Sequence, residues 1–298
     1  MQSLLTKEQW HERYLYILKN YRPIDDDFFT KLFQDNIPLA EQVLRIITDV
    51  KDLHLTSIRT QETLKKLAGS RSVRFDAFGH DDLNREFDIE VQRADSGASP
   101  KRARYHSASI DTDYLKAGQE FDLLPTTYVI FITENDVFGK NELIYRFDRM
   151  DKNIGLLFQD EAHIIFVNGA YNDPTDTSEL ARLVHDFRCS NADEMFTQLL
   201  AERTKYFKET NEGVSEMYKA IEELQETARA EGRAEGKAEG RAEGRAEGRA
   251  EGKAEGRAEG MLETLVSLVK DGILSLTEAA RRYNVSITEF ETLTGIKA

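Results

Sequence analysis

The stretch "TTYVIFIT" (126–133) constrains this chain more than any other. A strand with one wet face alternates apolar and polar side chains. This run does not, so it reads as a strand covered on both sides. "AHIIFVNG" (162–169) reads the same way. Such strands need helices on both faces of their sheet, and the sequence offers them. "DDDFFTKLFQD" sets Phe28, Phe29, Leu32 and Phe33 at helical spacing behind an Asp-rich start. "PLAEQVLRIITDV" opens on Pro38 and presents Leu39, Val43, Leu44, Ile46 and Ile47 as one apolar face. Residues 57–68, "SIRTQETLKKLA", predict another helix, as do the amphipathic stretches 178–187 and 192–207. "SVRFDAF" (72–78) and "EFDIEVQR" (86–93) alternate with period two around the turn-rich "GHDDLNR", which predicts a β-hairpin. Pro100 and Gly118 punctuate a helix over 99–118. The expected fold is α/β, with a central four-stranded mixed sheet flanked by helices.

From about residue 212 the chain reads as a long helical segment entering a repeat at 230–260, in which eight "AEG" units are separated by Arg or Lys. In a helix this four-residue period sets like charges at i, i+4, which is mildly destabilising. Each glycine costs about 1 kcal/mol relative to alanine. The repeat therefore reads as a flexible or partly helical linker rather than a tight helical oligomer. Alternating Ala and Gly would nonetheless let helices approach closely, as in a coiled coil of small residues. The tail "LSLTEAARRYNVSITEFETL" has helix-turn-helix spacing, but its second helix offers Glu289 and Glu291 and no basic residue. That favours packing or dimerisation over DNA reading. The division expected is 1–210, an α/β domain; 211–260, a helical segment and linker; and 261–298, a small helical element.

Forty Lys and Arg against 54 Asp and Glu give a formal net charge of −14. The overall field therefore repels nucleic acid, and any such site must be a local basic patch. The single cysteine, Cys189, excludes an internal disulfide framework and any multi-cysteine zinc site, and it suits a reducing compartment. No apolar run approaches the roughly 20 residues that span a bilayer, and the charged N-terminus lacks a signal-peptide core. The expectation is a cytoplasmic protein without a membrane partner.

Chemistry concentrates in the hairpin. In "FDIEVQ" (87–92), Phe87, Ile89 and Val91 point one way and Asp88, Glu90 and Gln92 the other. Pairing with the first strand brings Asp76 toward Glu90. Two such carboxylates repel and raise a pKa, and a divalent cation removes that cost. Mg²⁺ takes oxygen ligands, and Asp76, Glu90 and the backbone carbonyl of Val91 would suit it. A polar strand face is ordinarily just wet. The next segment shifts the balance: "SPKRARYH" concentrates Lys101, Arg102 and Arg104, with Tyr105 and His106, at a helix start where anions are favoured.

At these residues the chain resembles the PD-(D/E)XK nuclease superfamily, and within it the recombination-promoting nuclease (Rpn) and transposase family. The resemblance is carried by "FDAFGHDDLNREFDIEVQRADSGASPKRARYHS", "LKAGQEFDLLPTTYVIFITENDVFG" and "HIIFVNGAY", and it covers about residues 22–210. It implies a restriction-endonuclease-like core and Mg²⁺-dependent DNA endonuclease activity, with Mn²⁺ as a substitute, tied to recombination or mobile elements. Asp76 falls on the motif Asp, and Glu90 on the acid of the E-x-K element. Gln92 falls where the superfamily has Lys, a departure similar to the family's own. The implied catalytic residues are Asp76, Glu90 and Gln92; the basic helix start, with Lys101, Arg102, Arg104, Tyr105 and His106, is the candidate DNA-binding surface beside them. A further acid from the first helix would be Glu41, with Asp27 behind it. Asp88 reads as a supporting or merely solvated neighbour. Two other readings stand beside this one: a catalytically weak nucleic-acid-binding module that keeps the fold, and an interaction protein that forms homo-oligomers through its C-terminal helical region.

Overall fold

A computed structural model describes residues 7–64, 73–94 and 97–296. The chain divides into two compact units, Met1–Glu222 and Glu223–Ala298.

The first unit is built on a six-stranded mixed sheet of order β1-β2-β3-β4-β6-β5. Its strands are β1 (Leu55–Leu64), β2 (Val73–Asp81), β3 (Arg85–Gln92), β4 (Thr126–Thr133), β5 (Ile144–Phe147) and β6 (Ala162–Asn168). The pairs β1–β2, β2–β3 and β5–β6 are antiparallel; β3–β4 and β4–β6 are parallel. One face carries α1 (Lys7–Asn20), α2 (Asp26–Phe33), α3 (Ile37–Thr48), α5 (Glu179–Arg188) and α6 (Gln198–Glu209). There the main core gathers Phe28, Phe29 and Phe33 with Phe87, Ile89, Ile130, Ile132, Ile165 and Val167. The other face carries α4 (Pro100–Tyr114) over a second cluster containing Phe75, Ala103, Ile110, Val129, Phe131 and Phe166. Successive residues of β4 and β6 thus feed opposite cores, which explains their unbroken apolar runs.

The sheet has six strands, not four. The helix expected over 57–68 is β1 up to Leu64, and residues 65–68 lie outside the described segments. Its run holds three Thr and one Ile, and eight residues register against β2, so tertiary pairing overrides a weak helical spacing. The four-residue β5 is an edge strand too short to leave a periodic signature. The single helix expected over 192–207 is broken. The buried Asp186 carboxylate accepts N–H bonds from Phe196 (3.0 Å) and Thr197 (2.6 Å), which starts α6 afresh after a 3₁₀ turn at Ala192–Glu194.

A single helix, α7 (Asn211–Lys270), runs through the repeat, so the repeat is helical rather than a flexible linker. In the second unit Leu265 of α7 packs with Ala279 and Ala280 of α8 (Leu276–Tyr283) and Phe290 of α9 (Ile287–Thr294). The turn falls at 284–286 as expected. Asn284 ends α8 in the left-handed region (φ 61°), and Ser286 with Glu289 forms a capping box that starts α9.

Candidate metal centre

The β2–β3 ladder registers His80 with Glu86, Gly79 with Phe87, Phe78 with Asp88 and Ala77 with Ile89, and it stops there. Beyond that point side chains replace the backbone acceptors. Glu90 Oε1 accepts the Asp76 N–H at 3.0 Å, and Asp76 Oδ2 accepts the Val91 N–H at 2.9 Å. The two carboxylates take over the cross-strand contacts where the ladder ends. In a strand the N–H and C=O of one residue point to the same side, so the Val91 carbonyl also faces Asp76.

The polar row of β3 is not wet. Asp88 and Glu90 are fully buried, because α4 lies over them. Ser99 caps α4 by accepting the Arg102 N–H, which sets the first turn against the sheet. Arg102 then reaches inward. Its Nη2 donates to Glu90 Oε2 at 2.7 Å and its Nη1 to Gln92 Oε1 and the Gly97 carbonyl at 3.3 and 3.1 Å. One turn on, His106 Nδ1 lies 2.8 Å from Asp88 Oδ2, and its ring meets Phe75 edge-on. Arg102 Nε donates to His106 Nε2 at 3.3 Å. An arginine can only donate, so the imidazole carries its proton on Nδ1 and gives it to Asp88.

Burial dominates the electrostatics. It pushes Asp76 up to about 7, with the charge of Asp26 adding to the effect. It pushes Glu90 up to about 9, with Asp88 and Asp76 next, against the pull of His106 and Arg102. Asp88 is raised well above the ordinary carboxylate range by burial and then by Asp76. Carboxylates this close share a titration, and their burial favours the protonated forms.

Asp76, Gln92, Lys101, Arg102, Tyr105 and His106 all line one cleft of about 790 Å³, joined by Asp26 and Arg74. Arg104 is exposed and does not line it. Glu41 lies apart: it pairs with Arg45 at 2.9 Å and accepts the Leu55 N–H at 2.8 Å. Asp27 accepts a bond from Tyr21 at 3.4 Å. The acid that α2 does present to the cleft is Asp26, one residue before the one singled out. Its only signal was the run "DDD", in which helical phase decides which carboxylate faces inward. The Asp88–His106 pair also escaped notice as a pair. Its signal was the shared period-two row with Glu90 and the one-turn offset of His106 from Arg102.

Asp88, Glu90 and His106 each present a ligand atom, and these atoms lie within 4.8 Å of one another. No described helix is long and apolar enough to cross a membrane. No curated protein and no solved structure matches the chain. A family model does match, over residues 32–238, which takes in the whole hairpin and α4. The chain belongs to the PD-(D/E)XK nuclease family transposases.

Proposed function

We infer that the chain is a DNA endonuclease that hydrolyses phosphodiester bonds with a divalent cation, Mg²⁺ or Mn²⁺, in the cleft between β2, β3 and the start of α4. The observation that carries this reading is the Asp76–Glu90 pair, held together by each other's backbone neighbours and raised toward neutrality by burial. A dication fits this donor set, since it would stabilise both ionised carboxylates, and the Val91 carbonyl faces the same notch. When bound it supplies positive charge for a phosphate oxygen.

The chain's own residues do the rest. Lys101 and Arg74 line the cleft with Tyr105 and offer cations to the DNA backbone, and Arg104 adds an exposed cation on the same helix. Gln92 accepts from Arg102 through Oε1, so its amide N–H groups remain to orient a water by hydrogen bonding. A neutral amide cannot stabilise charge as the superfamily Lys does, so catalysis leans harder on the cation. Asp26 adds a third carboxylate at the cleft wall and takes the place first given to Glu41. The biological setting that fits the family is recombination or mobile-element transfer. Self-association through the C-terminal helices, in the cytoplasm, completes the reading.

One observation favours a second reading. Arg102 already occupies Glu90 Oε2 at 2.7 Å, as it would in a module that binds nucleic acid and cuts little. Plasmid nicking by the purified chain, titrated with Mg²⁺, separates the two. Cation-dependent nicking that is lost in Asp76→Asn supports the nuclease. DNA binding without nicking at any Mg²⁺ or Mn²⁺ concentration supports the binding module.

A further inference from the structure

We propose that Asp88, Glu90 and His106 form a second cation site, adjoining the first through the shared Glu90 and suited to a borderline first-row ion such as Mn²⁺. The proposal rests on reading Glu90 as a ligand and goes beyond it, because neither Asp88 nor His106 is among the catalytic residues read from the resemblance, Asp76, Glu90 and Gln92.

Four observations converge. The three ligand atoms lie within 4.8 Å of one another. Asp88 and Glu90 are fully buried, and His106 is 3% exposed. Asp88 Oδ1 is buried and has no hydrogen-bond partner, a polar atom that a cation would satisfy. The imidazole Nδ1 already sits between the two acids, 2.8 Å from Asp88 Oδ2 and 3.9 Å from Glu90 Oε1.

In the ion-free cluster the Nδ1 proton occupies the place of the cation. Loading moves no side chain far. The proton leaves Nδ1 and another is taken up at Nε2, protons held by Asp88 and Glu90 pass to solvent, and the 3.3 Å contact from Arg102 Nε is given up, since two N–H groups would then face each other. Arg102 keeps its bonds to Gln92 and the Gly97 carbonyl. The edge of Phe75 and the ring of Phe131 hold the imidazole at its angle. A nitrogen ligand beside two carboxylates discriminates against Mg²⁺, which prefers an all-oxygen shell, and favours Mn²⁺ or Zn²⁺.

Pulsed EPR of the full-length chain, stripped with EDTA and loaded with two equivalents of Mn²⁺, reads the nitrogen directly. The wild-type chain is expected to bind two ions, one of them with ¹⁴N modulation. His106→Gln should lose the modulation and bind one ion. Asp76→Asn should also bind one ion but keep the modulation. A wild-type spectrum without ¹⁴N coupling overturns the site, and so does coupling that survives in His106→Gln. If His106→Gln fails to fold, the wild-type spectrum and Asp88→Asn decide, the latter expected to bind one ion without coupling. Plasmid nicking on the same samples separates the two readings: ¹⁴N coupling in a chain that never nicks DNA leaves this site standing and removes the nuclease.

Discussion

The two faces of β3 bury side chains equally and for opposite reasons. Phe87 and Ile89 are fully buried and Val91 nearly so, in a core of aromatic and aliphatic neighbours. On the other face Asp88 and Glu90 are just as dry, under α4. The first face stabilises the fold through apolar area removed from water. The second opposes folding, because desolvated carboxylates are costly. The chain offsets that cost with Arg102, His106 and retained protons. Such a face suits a bound cation, which would offset the cost of keeping both carboxylates ionised.

The comparison breaks most visibly at Glu90. Glu90→Gln keeps the shape of the side chain and removes its charge. We expect plasmid nicking to fall by roughly 3–4 kcal/mol of transition-state stabilisation, some hundred- to thousandfold. The melting temperature of the ion-free protein should hardly drop. Nicking at the wild-type rate would remove Glu90 from the chemistry.

Next in size is a pH effect confined to the polar face. Asp76 and Glu90 have folded-state pKa values raised to about 7 and about 9. The folded state therefore holds protons that the unfolded chain has released. Stability from this source is fully present below the ordinary carboxylate pKa of about 4 and is lost as pH rises through 7 and then 9. At about 1.4 kcal/mol per pKa unit the loss is several kcal/mol. Urea melts in EDTA should show stability falling from pH 5 to pH 9. Saturating Mg²⁺ should flatten the slope. A curve that is flat without metal would mean the acids are not desolvated together.

The apolar face answers differently. Ile89→Ala should cost about 2–5 kcal/mol by transfer and cavity terms, at every pH and with or without metal. Denaturant midpoints across the same pH series check this. A metal-dependent cost would show that the two faces are coupled through the backbone of β3.

These faces also mark how far the sequence could be read. The period-two split of Phe87, Ile89 and Val91 from Asp88, Glu90 and Gln92 was legible because a strand has only two sides. The pairing of Asp76 with Glu90 followed once the hairpin was recognised. What stayed hidden was what covers each side. Whether a polar row is wet or buried depends on where a distant helix lands, and nothing local in "FDIEVQ" says that α4 folds back over it. Arg102 illustrates the same limit: its charge and helical position suggested an outward phosphate ligand, yet its guanidinium turns inward to Glu90. Likewise β1 carries apolar residues at spacings that fit a helix, and only its partner β2 decides otherwise. Asp26 shows it in miniature, since three consecutive acids differ in sequence by one step and in space by 100° of helix.

The smallest effect sharpens the comparison at its boundary. Gln92 ends the polar row and is only half-buried. Its Oε1 accepts one long bond, 3.3 Å, from the Arg102 guanidinium, which has stronger bonds to Glu90 and the Gly97 carbonyl. A bond of that length to a side chain with other partners is worth less than about 1 kcal/mol net. Gln92→Ala should therefore leave the urea midpoint within about 1 kcal/mol of wild type and leave the Asp76–Glu90 geometry unchanged. If Gln92 orients water at the site, nicking should still fall, by about ten- to a hundredfold, with DNA affinity unaltered. Stability and nicking measured on one preparation separate the two contributions. A variant that loses neither would make Gln92 the solvated end of the row, so that its place in the motif reflects ancestry rather than chemistry. A variant that loses stability well beyond 1 kcal/mol would mean that Arg102 depends on Gln92 to stay folded over Glu90, and the polar face would then extend one residue further along β3 than the burial pattern indicates.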